Sequence, residues 1–221
     1  MKLFFKALVR YLSSLIVIAA MLFLPAGSIK FWNGWLFIAA LFLPMLFAWI
    51  YLTIKDPELL EKRFKTKEKE KTQKAYVILS IVAFALTFLI PGFDFRYGWS
   101  AVPFWLVVLS TVIMFAGYIM FFVVMKQNSY ASRVIEIQQG QRVIDTGLYG
   151  VVRHPMYTAA LIIYGFSPLI LGSYYALIPM LFIPALLVMR ILNEEKVLTN
   201  ELPGYPEYMK KVSFRLIPFI W

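Results

Sequence analysis

Six long apolar runs, at about 8–24, 31–53, 75–91, 100–125, 155–171 and 174–192, narrow the folds open to this chain more than any other feature. Crossing the hydrocarbon of a bilayer takes roughly 20 apolar residues in a helix rising about 1.5 Å per residue. The second and fourth runs exceed that length, and the fifth and sixth fall short of it. Only Gly172 and Ser173 separate these last two, so they read as a tight helical hairpin. Composition agrees with the pattern: 61% of residues are hydrophobic and 15% charged, against about 45–50% and about 25% in soluble domains. The fold class expected is all-α, a polytopic membrane protein of about six transmembrane helices. The first run, with Lys2, Lys6 and Arg10 before LIVIAAMLFLPAG, also has the pattern of a secretory signal peptide. With five spans behind it, a retained signal-anchor helix is the expectation.

The charges give an orientation. A net charge of +10 would point to nucleic acid in a soluble protein, but here the anionic membrane surface and the positive-inside rule account for it. Of the 22 Lys and Arg residues, all but Lys30 and Arg96 fall in four places: the N-terminus, the 55–74 linker, the 126–154 connection and the C-terminal region. These alternate with the loops at 25–30, 92–99 and 172–173, so both termini are expected in the cytoplasm. No nucleic-acid partner is expected, and membrane lipids are. The linker KDPELLEKRFKTKEKEKTQK holds i,i+4 pairs Glu58–Lys62 and Glu61–Lys65, which suit a helical stub with Leu59, Leu60 and Phe64 toward the lipid surface. Pro44, Pro168, Pro179 and Pro184 are expected to kink their spans. Trp32, Trp35, Tyr97, Trp99, Tyr174 and Tyr175 sit where interfacial belts occur.

Several chemistries are excluded early. No cysteine is present, which removes disulfides, thiolate zinc sites and cysteine nucleophiles. Apart from Arg10 and Arg190 near their ends, the apolar runs carry no ionisable side chain, which argues against an ion pump or channel. No metal-ligand spacing occurs, so no metal is expected. The polar residues gather after residue 126. The chain therefore divides into N-terminal helices with their basic linker (1–125) and a C-terminal region (126–221), integrated as one domain.

Two clusters in that region can carry chemistry. In GLYGVVRHPMY, Pro155 suits the first position of a helix and puts His154 at or beside its N-cap. Free N–H groups there, with the planar fork of Arg153 beside them, suit a carboxylate or phosphate. Tyr157 projects from the same face as His154. The second cluster, RILNEEKVL, puts Arg190 and Glu194 one turn apart with Glu195 alongside. Spacing alone allows two readings: a surface salt bridge at a helix end, or adjacent carboxylates awaiting a cation.

The ordered blocks G-x-Y-x-x-x-R-H-P-x-Y and R-x-x-x-E-E-x-x-L, followed by GYPEYMKKVSFRLIPFI, resemble the isoprenylcysteine carboxyl methyltransferase family, and phosphatidylethanolamine N-methyltransferases are similar in the same region. The resemblance covers about 126–221. It implies an integral-membrane enzyme that transfers a methyl group from S-adenosylmethionine to a lipophilic acceptor, whether small molecule, lipid or lipidated protein. The reacting group on that acceptor is a carboxylate, an amine or a thiol. It further implies a cytoplasmic cofactor pocket among the C-terminal helices. Carried over by position, the cofactor-binding residues are Gln138, Gln141, Arg142, Val143, Ile144, Tyr149, His154, Pro155, Met156, Tyr157 and Glu194. Arg190 and Glu194 are the catalytic pair, with Arg190 nearest the acceptor. Gln141–Arg142 stand where the carboxyl-methylating relatives carry a His-Thr pair, and nothing in the first hundred residues identifies the acceptor. Membrane sterol reductases resemble this family distantly in the same helices, which makes an NADPH-dependent reductase the alternative enzyme. A scaffold or transporter is the non-enzymatic one.

Overall fold

The computed structural model describes residues 2–64, 71–132, 134–135 and 137–221, with backbone alone at 2–3 and 71–73. Among these residues all regular structure is helical. The order is α1 (Lys2–Ala26), α2 (Trp32–Lys55), α3 (Pro57–Arg63), α4 (Lys71–Tyr97), α5 (Phe104–Gln127), a short 3₁₀ turn (Gly147–Gly150), α6 (Pro155–Gly165), α7 (Ser167–Ile170), α8 (Leu177–Met180), α9 (Phe182–Glu201) and α10 (Tyr205–Lys211). Five helical segments are long and apolar enough to cross a membrane: those of α1, α2, α4 and α5, and Leu177–Glu201. The protein is an integral membrane protein.

The segment Pro155–Ile170 is shorter than a full span. It nevertheless reaches across the bundle, because Asn33 at the start of α2 donates to the Ile170 carbonyl (2.8 Å). The turn beyond it uses Gly172 at φ +76°. That turn is held by Asp94, whose carboxylate accepts from the hydroxyls of Ser173 (2.5 Å) and Ser100 (2.6 Å). Five span-length helices are therefore joined by a sixth apolar segment that is short and broken. The expected hairpin differs in one respect: its arms splay. The α6 arm packs most closely on α5, and α9 packs on α4. Gly117 permits the first contact, since a Cβ there would lie 3.0 Å from the Ile163 nitrogen. Gly92 lets α1 approach α4 so closely that a Cβ would lie 2.5 Å from the Leu22 carbonyl oxygen. The apolar core between these contacts includes Leu22, Phe31, Phe37, Met114, Ile170 and Leu171, all almost fully buried.

The prolines divide into two kinds. Pro168 sits in the first turn of α7 just past a break at Phe166, and Pro184 lies just after the break between α8 and α9. Each lacks the N–H that would continue the preceding helix. Pro179 lies inside α8. Pro44 breaks nothing: α2 runs through it without interruption.

The linker departs from expectation. Asp56 caps α3 by accepting from the Leu59 N–H (2.9 Å), with Pro57 in the first turn. Leu59 and Leu60 do not face lipid. They are buried against Leu52, Met125 and Ala131, because α3 folds back under the end of α5. Phe64 is half-buried beneath the Arg10 guanidinium, 4.6 Å from its ring, and its carbonyl accepts from Arg10 (2.8 Å). Lys62 donates to the Ser129 carbonyl (3.1 Å). The Glu61–Lys65 pair lies outside the described residues. These bonds gather the start of α1, α3, the residues after α5 and the C-terminal helices at one end of the bundle.

Candidate active site

At that end the chain leaves α5, and the described residues between 128 and 146 form no regular element and are held by side-chain amides. Asn128 donates to the Tyr149 hydroxyl (2.8 Å) and accepts from the Tyr130 N–H (2.9 Å). Gln127 accepts from the Leu148 N–H (3.1 Å), reaching past Gly147 at φ +60°, where any Cβ would collide with its amide. Tyr208 of α10 donates to the Tyr149 carbonyl (2.7 Å). Burial pushes the Tyr149 hydroxyl up to about 12, so it is a neutral donor and acceptor at physiological pH.

The two adjacent glutamates of α9 do different things. Glu195 is buried and accepts from Arg153 Nε (2.7 Å), Arg215 Nε (2.8 Å) and His154 Nε2 (3.2 Å). Arg153 also donates through Nη1 to the carbonyls of Val212 (2.7 Å) and Ser213 (3.0 Å). Its Nε and Nη1 are thus spent on Glu195 and the protein's own tail, while the residue still borders the cavity described below. The tail closes over the same corner, its Phe214 and Arg215 carbonyls accepting from the N–H groups of Arg153 and His154 (2.9 Å each). His154 does stand at the N-cap of α6, but its ring makes no cap bond; it packs against Tyr157 with ring centres 5.7 Å apart.

Glu194 takes part in a second arrangement. Tyr157 donates to Glu194 Oε2 (2.5 Å) and accepts from Arg190 Nε (2.8 Å). Arg190 is buried and lies over the Tyr76 ring of α4, 4.8 Å from its centre. The pair is therefore no surface salt bridge. The phenol joins a cation and a carboxylate across the splayed arms.

These groups border one cavity of about 840 Å³. Its polar end is lined by Gln141, Arg142, Val143 and Ile144, by Tyr149, His154, Met156 and Tyr157, and by Arg190 and Glu194. Of the residues expected to bind cofactor, Gln138 and Pro155 are not on its wall. Gln138 instead braces the loop, donating to the Tyr130 carbonyl (2.7 Å), and Pro155 is buried at the start of α6. The cavity continues between the spans, where Ile18, Met21, Met45, Phe84, Ala85 and Phe88 line an apolar arm. Tyr205 and Tyr208 of α10 also reach the polar end, as does Arg63 of α3. Sequence reasoning gave these no role. The tyrosines lie inside the block GYPEYMKKVSFRLIPFI, which was the available signal, whereas Arg63 is hidden among the linker's many charges of both signs.

Residues 107–200 match the model of the Isoprenylcysteine carboxyl methyltransferase (ICMT) family. The region is ICMT-like. The match takes in α5, the loop, the Tyr149 and His154–Tyr157 block and nearly all of α9, a little under half the chain. The family that the chain resembles there is one of carboxyl methyltransferases. No curated protein matches the chain.

Proposed function

We propose that the chain is an S-adenosylmethionine-dependent methyltransferase acting on a lipophilic acceptor at the cytoplasmic face, its helices forming one integrated domain. The observation that carries this reading is the continuity of a polar chamber with an apolar arm in one cavity. At about 840 Å³ it lies high in the roughly 300–1,000 Å³ range of small-molecule sites. A polar cofactor and the tail of an apolar acceptor can share such a volume.

The lining suits this cofactor. The Tyr205 hydroxyl is buried on the cavity wall without a hydrogen-bond partner, a cost of about 1–3 kcal/mol that a polar ligand would remove. Glu194 can accept from ribose hydroxyls or an amino group, Arg142 and Gln141 offer donors to a carboxylate, and Val143 and Ile144 offer apolar cover to a base. Bound there, S-adenosylmethionine supplies an electrophilic methyl on a sulfonium. The chain's contribution is to hold and orient, an effect that can be worth roughly 7–11 kcal/mol. Arg190, fixed between Tyr76 and Tyr157, can position an anionic or electron-rich acceptor group. An acceptor that must lose a proton has Glu194 as its base through the Tyr157 contact.

The cytoplasmic assignment is supported by the charges at the site's end of the bundle, where Lys6, Arg10, Lys55, Lys62 and Lys126 lie, against Lys30 and Arg96 at the other. The test is binding of S-adenosylhomocysteine to purified protein by calorimetry, followed by labelling of native membranes with methyl-tritiated S-adenosylmethionine. Glu194→Gln should weaken binding about ten-fold or more. Folded, monodisperse wild-type protein that binds neither compound would overturn the reading.

A further inference from the structure

The apolar arm contains one polar group with nothing to bond. Ser80 of α4 lines it, is only 8% exposed, and its Oγ has no hydrogen-bond partner among the described residues. A buried hydroxyl left unpaired costs about 1–3 kcal/mol, and more where no water can reach it. Serine in a helix has a ready escape, since its hydroxyl can turn back to the carbonyl four residues earlier. Two turns on in the same helix Thr87 does this, bonding the Ala83 carbonyl (2.8 Å), and Thr111 of α5 does it with Val107 (2.8 Å). Ser80 does not bond the Tyr76 carbonyl. The Tyr118 hydroxyl, also on the arm, is spent on the Leu41 carbonyl (2.8 Å).

Position gives this hydroxyl a meaning. Tyr76, Ser80, Phe84 and Phe88 recur every four residues and form one column of α4 along the cavity. At the top of the column Tyr76 stacks on Arg190 (4.8 Å). Ser80 lies one turn, about 6 Å, deeper. Below it the column is hydrocarbon and aromatic ring. A ligand lying along the column with its reacting end at Arg190 therefore passes a hydrogen-bond donor before its tail runs beside the rings of Phe84 and Phe88.

We propose that Ser80 is the contact that selects the methyl acceptor, and that the acceptor is a lipid carrying a hydrogen-bond-accepting oxygen about one helical turn in from its reacting end. This rests on the methyl-transfer reading of the cavity. A site built to bond an oxygen discriminates against the analogue lacking it, because its own polar group is then left unpaired. Plain hydrocarbon behind the reacting group is the chemistry this arm disfavours.

The test compares two lipids of equal length and equal head group, N-dodecanoyl-β-alanine, which has an amide carbonyl near its carboxylate, and hexadecanoic acid, which does not. Each displaces tritiated hexadecanoic acid from detergent-solubilised protein. Wild type should bind the amide about three- to ten-fold more tightly, the range expected for one neutral hydrogen bond. Ser80→Ala should lose the preference for the amide, binding it more weakly and hexadecanoic acid at least as tightly as wild type does, and retained binding of hexadecanoic acid reports that the arm is intact. No preference in the wild type, a preference that survives Ser80→Ala, or failure of both lipids to bind would each overturn the proposal. S-adenosylhomocysteine is titrated separately. Its failure to bind would sink the methyltransferase reading, while the lipid comparison would still decide the role of Ser80.

Discussion

Glu194 and Glu195 are neighbours whose isosteric neutralisation should have opposite consequences. Glu195→Gln keeps the shape of the side chain and removes its charge. One amide oxygen can still accept from one guanidinium, but the amide N–H₂ must then face the other. Arg153 has a side chain 4% exposed, so it has no recourse to water, whereas Arg215 at 27% can recover some hydration. Removing one partner of a buried pair costs about 3–5 kcal/mol, and the accessibility of Arg215 argues for the lower end. For a chain of this size about 3 kcal/mol is roughly 6–12 °C in Tm. Glu194 is half-buried and has one described hydrogen bond, from Tyr157, so Glu194→Gln should cost about 1 kcal/mol, roughly 2–4 °C. Its loss should appear in S-adenosylhomocysteine affinity, about ten- to a hundred-fold. Six tryptophans make intrinsic fluorescence the natural readout, and the cysteine-free chain gives thiol-reactive dyes nothing to report. If Glu195→Gln melts like wild type, or Glu194→Gln falls as far as Glu195→Gln, the division into a structural and a ligand-facing carboxylate is wrong.

Tyr157→Phe keeps the ring against His154 but cuts the link between Arg190 and Glu194, so turnover should fall about ten- to a hundred-fold in the methyl-transfer assay, the range for a hydrogen bond to a charged group. Wild-type turnover in that variant would remove the phenol from the mechanism. Gly92→Ala should destabilise by about 1–3 kcal/mol, seen as a lower Tm, because the Leu22 carbonyl leaves no room for the methyl. Alkaline titration should show the Tyr149 contribution. Its pKa is raised from 10.0 to about 12 in the folded protein, so stability is whole below about pH 10 and falls as pH rises toward 12. Tyr149→Phe should flatten that part of the curve in a pH series of fluorescence melts.

Apolar run length carries most of the fold, since a helix needs the same number of residues to cross lipid whatever surrounds it. Five span-length helices and one shorter apolar segment fall close to the six runs. Run length does not report what covers a face. Leu59 and Leu60 read as lipid-facing because their neighbours are charged, yet α3 folds back and buries both beneath the end of α5. The same blindness hid Ser80. A lone serine in an apolar run is ordinary in sequence, and only its unpaired Oγ on a cavity wall distinguishes it from Thr87 in the same helix.

The site was legible as motifs and illegible as pairings, and the reason is geometric. Successive residues on a helix project about 100° apart. From E-E alone either carboxylate can be the buried one, and the helix's rotation in the bundle decides. The tail settles it, because Arg215 reaches Glu195 from beyond α10, where no spacing rule connects the two. Arg153 then follows Glu195, so its Nε and Nη1 are spent within the protein, although beside His154–Pro155 its fork read as suited to a carboxylate or phosphate. Arg190 goes the other way: spacing allowed it a surface salt bridge, but it is carried inside by the splayed arms and meets Tyr76 from a helix outside the family match. The polar end of the cavity is thus closed by α4, whose sequence carries no recognisable motif. The residues that choose the acceptor should be sought along that helix.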